Sequence, residues 1–149
     1  MSVKVCEDDF DVGHETAVLQ HAKPDVGAVV NFVGYVRNIN DGETVSALEL
    51  EHYPAMTEKS ISDIAIQARE KWDLLGIQII HRVGRLAPED QIVYVGVASK
   101  HRLEAFTACE FIMDYLKTQA PFWKKESTPN GDRWVDAREK DNTALARWD

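Results

Sequence analysis

Gln91 to Ser99 reads QIVYVGVAS, and the three residues after it, Lys100-His101-Arg102, pass directly into LEAFTACEFIMDYLK, which ends at Lys117. The first run is almost continuously apolar and rich in β-branched residues. That is the pattern of a central strand covered on both faces. In the second run Ala105, Ala108, Cys109, Ile112 and Leu116 recur at helical spacing, which predicts a helix over about 102–117 with this stripe turned inward. Pro121 drives Ala120 towards an extended conformation and so stops the helix near Thr118.

Working back from that centre, Ile77 to Val83 (IQIIHRV) reads as a strand, linked to it through Leu86-Ala87-Pro88-Glu89-Asp90. A helix over roughly Thr57 to Trp72 follows Pro54, with Ile61, Ile64, Ala65, Ala68 and Trp72 on one face, and Leu75-Gly76 closes it. Gly27 to Tyr35 (GAVVNFVGY) and Val45 to Tyr53 (VSALELEHY) are two more strands, with turn chemistry at Asn38–Gly42 between them. Working forward, Phe122 to Ser127 is extended, and Pro129-Asn130-Gly131 turns the chain into Arg133-Trp134-Val135. The charged stretch from Asp136 to Asp149 is expected to lie on the surface as a helix or tail. The order strand, strand, helix, strand, strand, helix, strand, with short links, favours an antiparallel or mixed sheet. The expectation is one α+β domain spanning residues 1–149.

Bulk properties narrow the function. A chain of 149 residues fits a single domain, and 44% hydrophobic with 28% charged residues is ordinary for a globular protein. No apolar run approaches the roughly 18 residues of a membrane span, and the acidic start lacks the basic and apolar regions of a signal peptide. A cytoplasmic location is the resulting default. The net charge of −8 argues against general nucleic-acid binding. Acid is concentrated in the first 26 residues, whereas 100–125 carries Lys100, Arg102, Lys117, Lys124 and Lys125 against Glu104, Glu110 and Asp114. A positive island in a negative chain suits a small anion or an anionic tail.

The two cysteines, Cys6 and Cys109, form neither a CxxC pair nor a zinc set, and Cys109 falls at an apolar helical phase. Neither reads as a nucleophile. The five histidines are scattered without metal-ligand spacing, and no phosphate-loop, GxGxxG, HExxH or GxSxG motif is present. No metal or cofactor is expected. Lys100-His101-Arg102 stands where a strand hands over to a helix, a place whose backbone amides favour anions. Lys117 and Lys124 flank the proline bend, which decides whether they share a cavity. Each also has an ordinary reading, Lys117 as a complement to the helix dipole and Lys124 as a solvated strand residue. Together in one cavity with His101 and Arg102, one of them becomes a candidate acid–base or amine nucleophile. His81-Arg82, on a strand, reads as structural. Residue patterns alone reach a globular α+β domain with a candidate anion site.

Phe111 to Glu126 (FIMDYLKTQAPFWKKE) closely resembles the most distinctive segment of the molybdopterin synthase large-subunit family. Gly27 to Asn38 (GAVVNFVGYVRN), Leu48 to Lys59, Ile79 to Leu86 (IIHRVGRL), Val95 to Phe106 and Gly131 to Ala137 (GDRWVDA) are similar to the same family, in the same order. The resemblance covers essentially everything from Gly27 onward. It implies an α/β-hammerhead fold and a sulfurtransferase. Such an enzyme installs two sulfurs on cyclic pyranopterin monophosphate, forming the dithiolene of molybdopterin. It implies delivery of sulfur by the thiocarboxylated Gly-Gly tail of a small ubiquitin-like subunit. A homodimer of large subunits with one small subunit at each distal end is implied too. Position by position, Lys117 and Lys124 match the catalytic lysines. His101 and Arg102 match a substrate-binding pair, Tyr35, Val36 and Arg37 a second binding segment, and Lys125 and Glu126 a third.

Overall fold

The structure, a computed structural model, describes residues 1–135 and 139–148. Its centre is the apolar strand over Gln91–Ser99 (β8), which is buried from Val93 onward. It lies between the strands over Gly76–Arg82 (β6) and Ala28–Tyr35 (β2), antiparallel to both. An edge strand over Ser2–Cys6 (β1) adds to β6 in parallel and completes a mixed four-stranded sheet ordered β1-β6-β8-β2.

Both faces of this sheet are covered, as the unbroken apolar run requires. The helices over Met56–Lys71 (α2) and Arg102–Gln119 (α3) bury Ile61, Ile64, Ala68, Ala108 and Ile112 against one face, together with Val95 and Val97. The opposite face takes the helix over Val12–Gln20 (α1) through Leu19, packed with Ile80, Tyr94 and Ala98. Gly96 makes that approach possible, since a Cβ there would overlap the Leu19 side chain and the Tyr94 hydroxyl. Asp11 caps α1 by accepting from the His14 amide at 3.1 Å. The sequence reading assigned no elements to β1 and α1. Their stretch is acidic, and α1 buries Leu19 alone, so its apolar periodicity is weak.

A second sheet is antiparallel throughout. It is ordered over Gly131–Val135 (β10), Phe122–Thr128 (β9), Ala47–His52 (β5) and Gly84–Leu86 (β7). Leu48, Leu50 and Leu86 are buried on it in one cluster with Val36 and Val83. The stretch read as a plain link from 86 to 90 therefore starts inside a short strand. The strands near 28 and 47 are also not partners, because β2 belongs to the first sheet and β5 to the second. Between them Ile39–Asn40 (β3) and Glu43–Thr44 (β4) form a separate hairpin, turned by Asp41 and Gly42 at φ 51° and 77°. Positive φ at both turn positions matches the right-handed strand twist.

A last helix, Glu139–Ala146 (α4), lies on α3, in agreement with the expected surface helix. The parts of that expectation on 136–138 and 149 fall outside the described residues. Trp148 anchors the end, donating from Nε1 to Asp114 Oδ2 at 2.6 Å and packing edge-on against Trp72 and Phe111. The α+β class holds. Among the described residues no helix is long and apolar enough to cross a membrane.

Candidate active site

A cavity of about 400 Å³ opens where the two sheets meet the C-terminal half of α3. Its walls come from Phe32, Gly34 and Tyr35 of β2 with Val36 and Arg37 just after it, Asn40, His81 of β6, Met113, Leu116 and Lys117 of α3, and Phe122, Lys124 and Glu126 of β9. Lys117 stands in the last turn of α3. The helix ends at Gln119, Ala120 is extended at ψ 129°, and β9 begins at Phe122. The proline bend thus turns the chain from α3 into the second sheet, and Lys117 and Lys124 line one cavity. Strand alternation selects the rest: Phe122, Lys124 and Glu126 face inward, and Trp123 and Lys125 face the other way. Lys125 sits 3.6 Å from Glu49 and over the Trp134 ring. It is not brought into the cavity.

Tyr35, Val36 and Arg37 all line it. Tyr35 follows a register shift in the β2–β8 ladder and is exposed. Val36 is buried, with its N–H and C=O bonded to Asp90 and Glu89, so it supplies wall. Arg37 donates from Nη2 to Asn40 Oδ1. Asn40 Nδ2 in turn donates to both oxygens of Glu126 at 2.9 Å. Arg133 closes the set, reaching Glu126 Oε1 at 3.2 Å, Glu43 Oε2 at 2.8 Å and the Asn40 carbonyl at 2.8 Å.

His101 and Arg102 lie elsewhere. They open α3, and its rise puts Arg102 roughly 22 Å along the axis from Lys117. Within one chain this pair does not meet the lysines. His81, read as structural, does. Its ring stacks on Phe122 at 3.8 Å and its Nδ1 is 2.8 Å from the Arg82 carbonyl. Burial, with the nearby Lys124 and Lys117 ammonium groups adding to it against that hydrogen bond, lowers its pKa to about 3. The ring is therefore neutral, with Nδ1–H donating to the carbonyl. Ile77, Ile79 and His81 share a phase on β6, which was the available signal for an inward histidine. Asn40 had no comparable signal, because its partner Glu126 is 86 positions away.

The arrangement gathers three cations, Arg37, Lys117 and Lys124, in a chain of net charge −8, while Glu126 is engaged by Arg133. It can bind an anion and move protons beside it. It offers no thiol. Cys109 is buried under β8, with its pKa pushed up to about 12 by that burial, and Cys6 lies on β1. Among the described residues no three His, Cys, Asp or Glu side chains group as metal ligands.

Residues 5–119 match the family model described as MoaE protein. A relative from Ralstonia nicotianae, named molybdopterin synthase catalytic subunit, is 61% identical over 147 residues, covering 99% of this chain and 84% of its own. The structure is similar to a molybdopterin biosynthesis MoaE protein from Burkholderia ambifaria, with TM-score 0.84 and 52% identity over 99% of this chain and 98% of that one. It is also similar to molybdopterin synthase from Staphylococcus aureus, with TM-score 0.82 and 32% identity over 89% of this chain and 95% of that one.

Proposed function

The chain belongs to the MoaE protein family, and from that premise we propose that it is the catalytic subunit of a molybdopterin synthase. It transfers two sulfurs to cyclic pyranopterin monophosphate and so forms the dithiolene of molybdopterin. Sulfur arrives as a thiocarboxylate on the C-terminus of a small ubiquitin-like carrier subunit. The observation that carries this reading is a cationic cavity without a thiol. A sulfurtransferase built this way needs its sulfur delivered in trans, and both the thiocarboxylate and the substrate phosphate are anions suited to Arg37, Lys117 and Lys124.

Lys117 and Lys124 act as the catalytic pair, moving protons to and from the pterin side chain and stabilising negative charge as each sulfur adds. Arg37 binds the substrate, and Tyr35 and Val36 shape the pocket around it. His101 and Arg102 serve as phosphate ligands in the site of a second copy, a reading supported by the roughly 22 Å that separates them from Lys117 within one chain. The surface beside them supports this: Leu103 and Phe106 are 70% and 61% exposed on α3, a helix that packs on the edge strand β2. The working assembly is then a homodimer of this chain with one carrier at each distal end. Residues 1–149 act as one catalytic domain, and the two free thiols agree with a cytoplasmic setting.

The test mixes the protein, a thiocarboxylated carrier and cyclic pyranopterin monophosphate, and assays dithiolene product with each component omitted in turn. Product is expected only with all three. Lys117→Ala should still bind the carrier while losing about 100-fold or more in rate, since a proton-handling group is typically worth that much. Carrier binding without product in the wild-type protein would leave a docking module. Wild-type turnover by Lys117→Ala would remove Lys117 from the chemistry.

A further inference from the structure

Among the described residues Glu126 is the one carboxylate in the cavity wall, and an open carboxylate there would repel both anions the site is built to receive. It is not open. The residue is 6% exposed, both its oxygens accept from Asn40 Nδ2, and Arg133 pairs with Oε1 from the other side. A group so engaged has little left to offer a ligand.

Asn40 is 4% exposed, and chemistry dictates which way its amide points. A carboxylate can only accept and a guanidinium can only donate. With Nδ2 against Glu126, Oδ1 is forced towards Arg37, and that is the bond formed. An amide side chain, with a donor and an acceptor on one carbon, joins an acid to a guanidinium in this way. An Asp would set two acceptors against each other. Among the described residues this bond is what holds the otherwise exposed Arg37 side chain, whose rotamer freedom would otherwise be lost on binding. The Asn40 backbone is fixed as well. It pairs with Glu43 in the hairpin, and its carbonyl accepts from Arg133.

We propose that Asn40, clamped by Glu126 and Arg133, is a positioning residue that presets the Arg37 guanidinium for the phosphate-bearing pterin, and that Glu126 acts through Asn40 and not as a substrate ligand. The proposal rests on the reading of the cavity as the pterin site. Hairpin β3–β4 thereby becomes part of the binding apparatus, its strand β3 carrying the residue that links Arg37 to β9 and β10.

The test measures affinity for cyclic pyranopterin monophosphate by calorimetry on the full chain without carrier, and KM and kcat in the complete reaction. Arg37→Ala and Asn40→Ala should each weaken precursor binding about tenfold, the scale of one hydrogen bond to a charged group. The double variant should bind no more weakly than Arg37→Ala. The loss should appear in KM for the precursor far more than in kcat. Glu126→Ala should follow Asn40→Ala, and Glu126→Gln, which can still accept from Asn40, should recover to within about threefold of wild type. Additive losses in the double variant would overturn the proposal, as would Glu126→Gln as damaging as Glu126→Ala. So would unchanged binding by Arg37→Ala. If Asn40→Ala does not fold, crossing the two Glu126 variants with Arg37→Ala decides between the same outcomes. Precursor binding without dithiolene formation by the wild-type complex would refute the enzymatic reading alone, since the calorimetric cycle still judges Asn40.

Discussion

Lys124 and Lys125 are neighbours with opposite fates, because consecutive strand residues face opposite sides of a sheet. One lines the cavity, and the other pairs with Glu49 outside it. His81 shows how strongly such placement sets chemistry. Buried beside Lys124 and Lys117, it is neutral in the folded chain down to about pH 3, whereas in an unfolded chain it takes a proton near its ordinary value of 6.5. The unfolded state therefore binds more protons across that window, and stability falls as pH drops below about 6.5. The slope from this one group approaches about 1.4 kcal/mol per pH unit until about pH 3. Denaturant unfolding at about pH 7.5, 6 and 5 should show a smaller loss in His81→Asn, which keeps a donor for the Arg82 carbonyl and has no ring to charge. Equal slopes in the two proteins would mean that other groups carry the acid sensitivity.

At the scale of elements, α3 does three jobs along its 18 residues. It opens with His101 and Arg102, buries Ala108, Phe111 and Ile112 in the middle, and carries Lys117 in its last turn. The two residues after α4 brace it through Asp114, which accepts from Trp148 Nε1 and from Arg147 at 2.8 Å. On the far side of the sheet, α1 depends on the missing side chain at Gly96. Gly96→Ala has to displace both Leu19 and the Tyr94 ring, and overpacking of this kind typically costs about 1–3 kcal/mol. A loss of about 2 kcal/mol in denaturant unfolding is expected, with protease cleavage in residues 12–20 rising as α1 loosens. Unchanged stability would show that α1 can shift on the sheet at no cost.

For the whole molecule the decisive matter is whether one chain holds a complete site. Its cavity has the lysines, and its His101 and Arg102 lie too far along α3 to join them. Cross-complementation tests the shared site directly. Lys117→Ala and Arg102→Ala proteins, each deficient alone, should regain activity when unfolded together and refolded as a mixture. Random pairing makes about half the dimers mixed, each with one intact site, so recovery to roughly a quarter of wild-type activity is expected. No recovery above the mean of the two variants would place His101 and Arg102 outside the partner's site.

The sequence by itself determined the α+β class, the central strand at 91–99 and the helix from Arg102, because local apolar periodicity and Pro121 leave few alternatives there. It also carried the family, through motifs in a fixed order, and the placing of Cys109 as a buried hydrophobe. Only the tertiary structure decided that β2 and β5 part into different sheets, since strand pairing depends on contacts between distant segments that leave no local pattern. The same holds at the site. The bonds of the Arg37–Asn40–Glu126–Arg133 network join residues up to 93 positions apart, and nothing in the chemistry of neighbouring residues encodes such a meeting. Local propensity fixes what each segment becomes, and packing fixes which segments face one another.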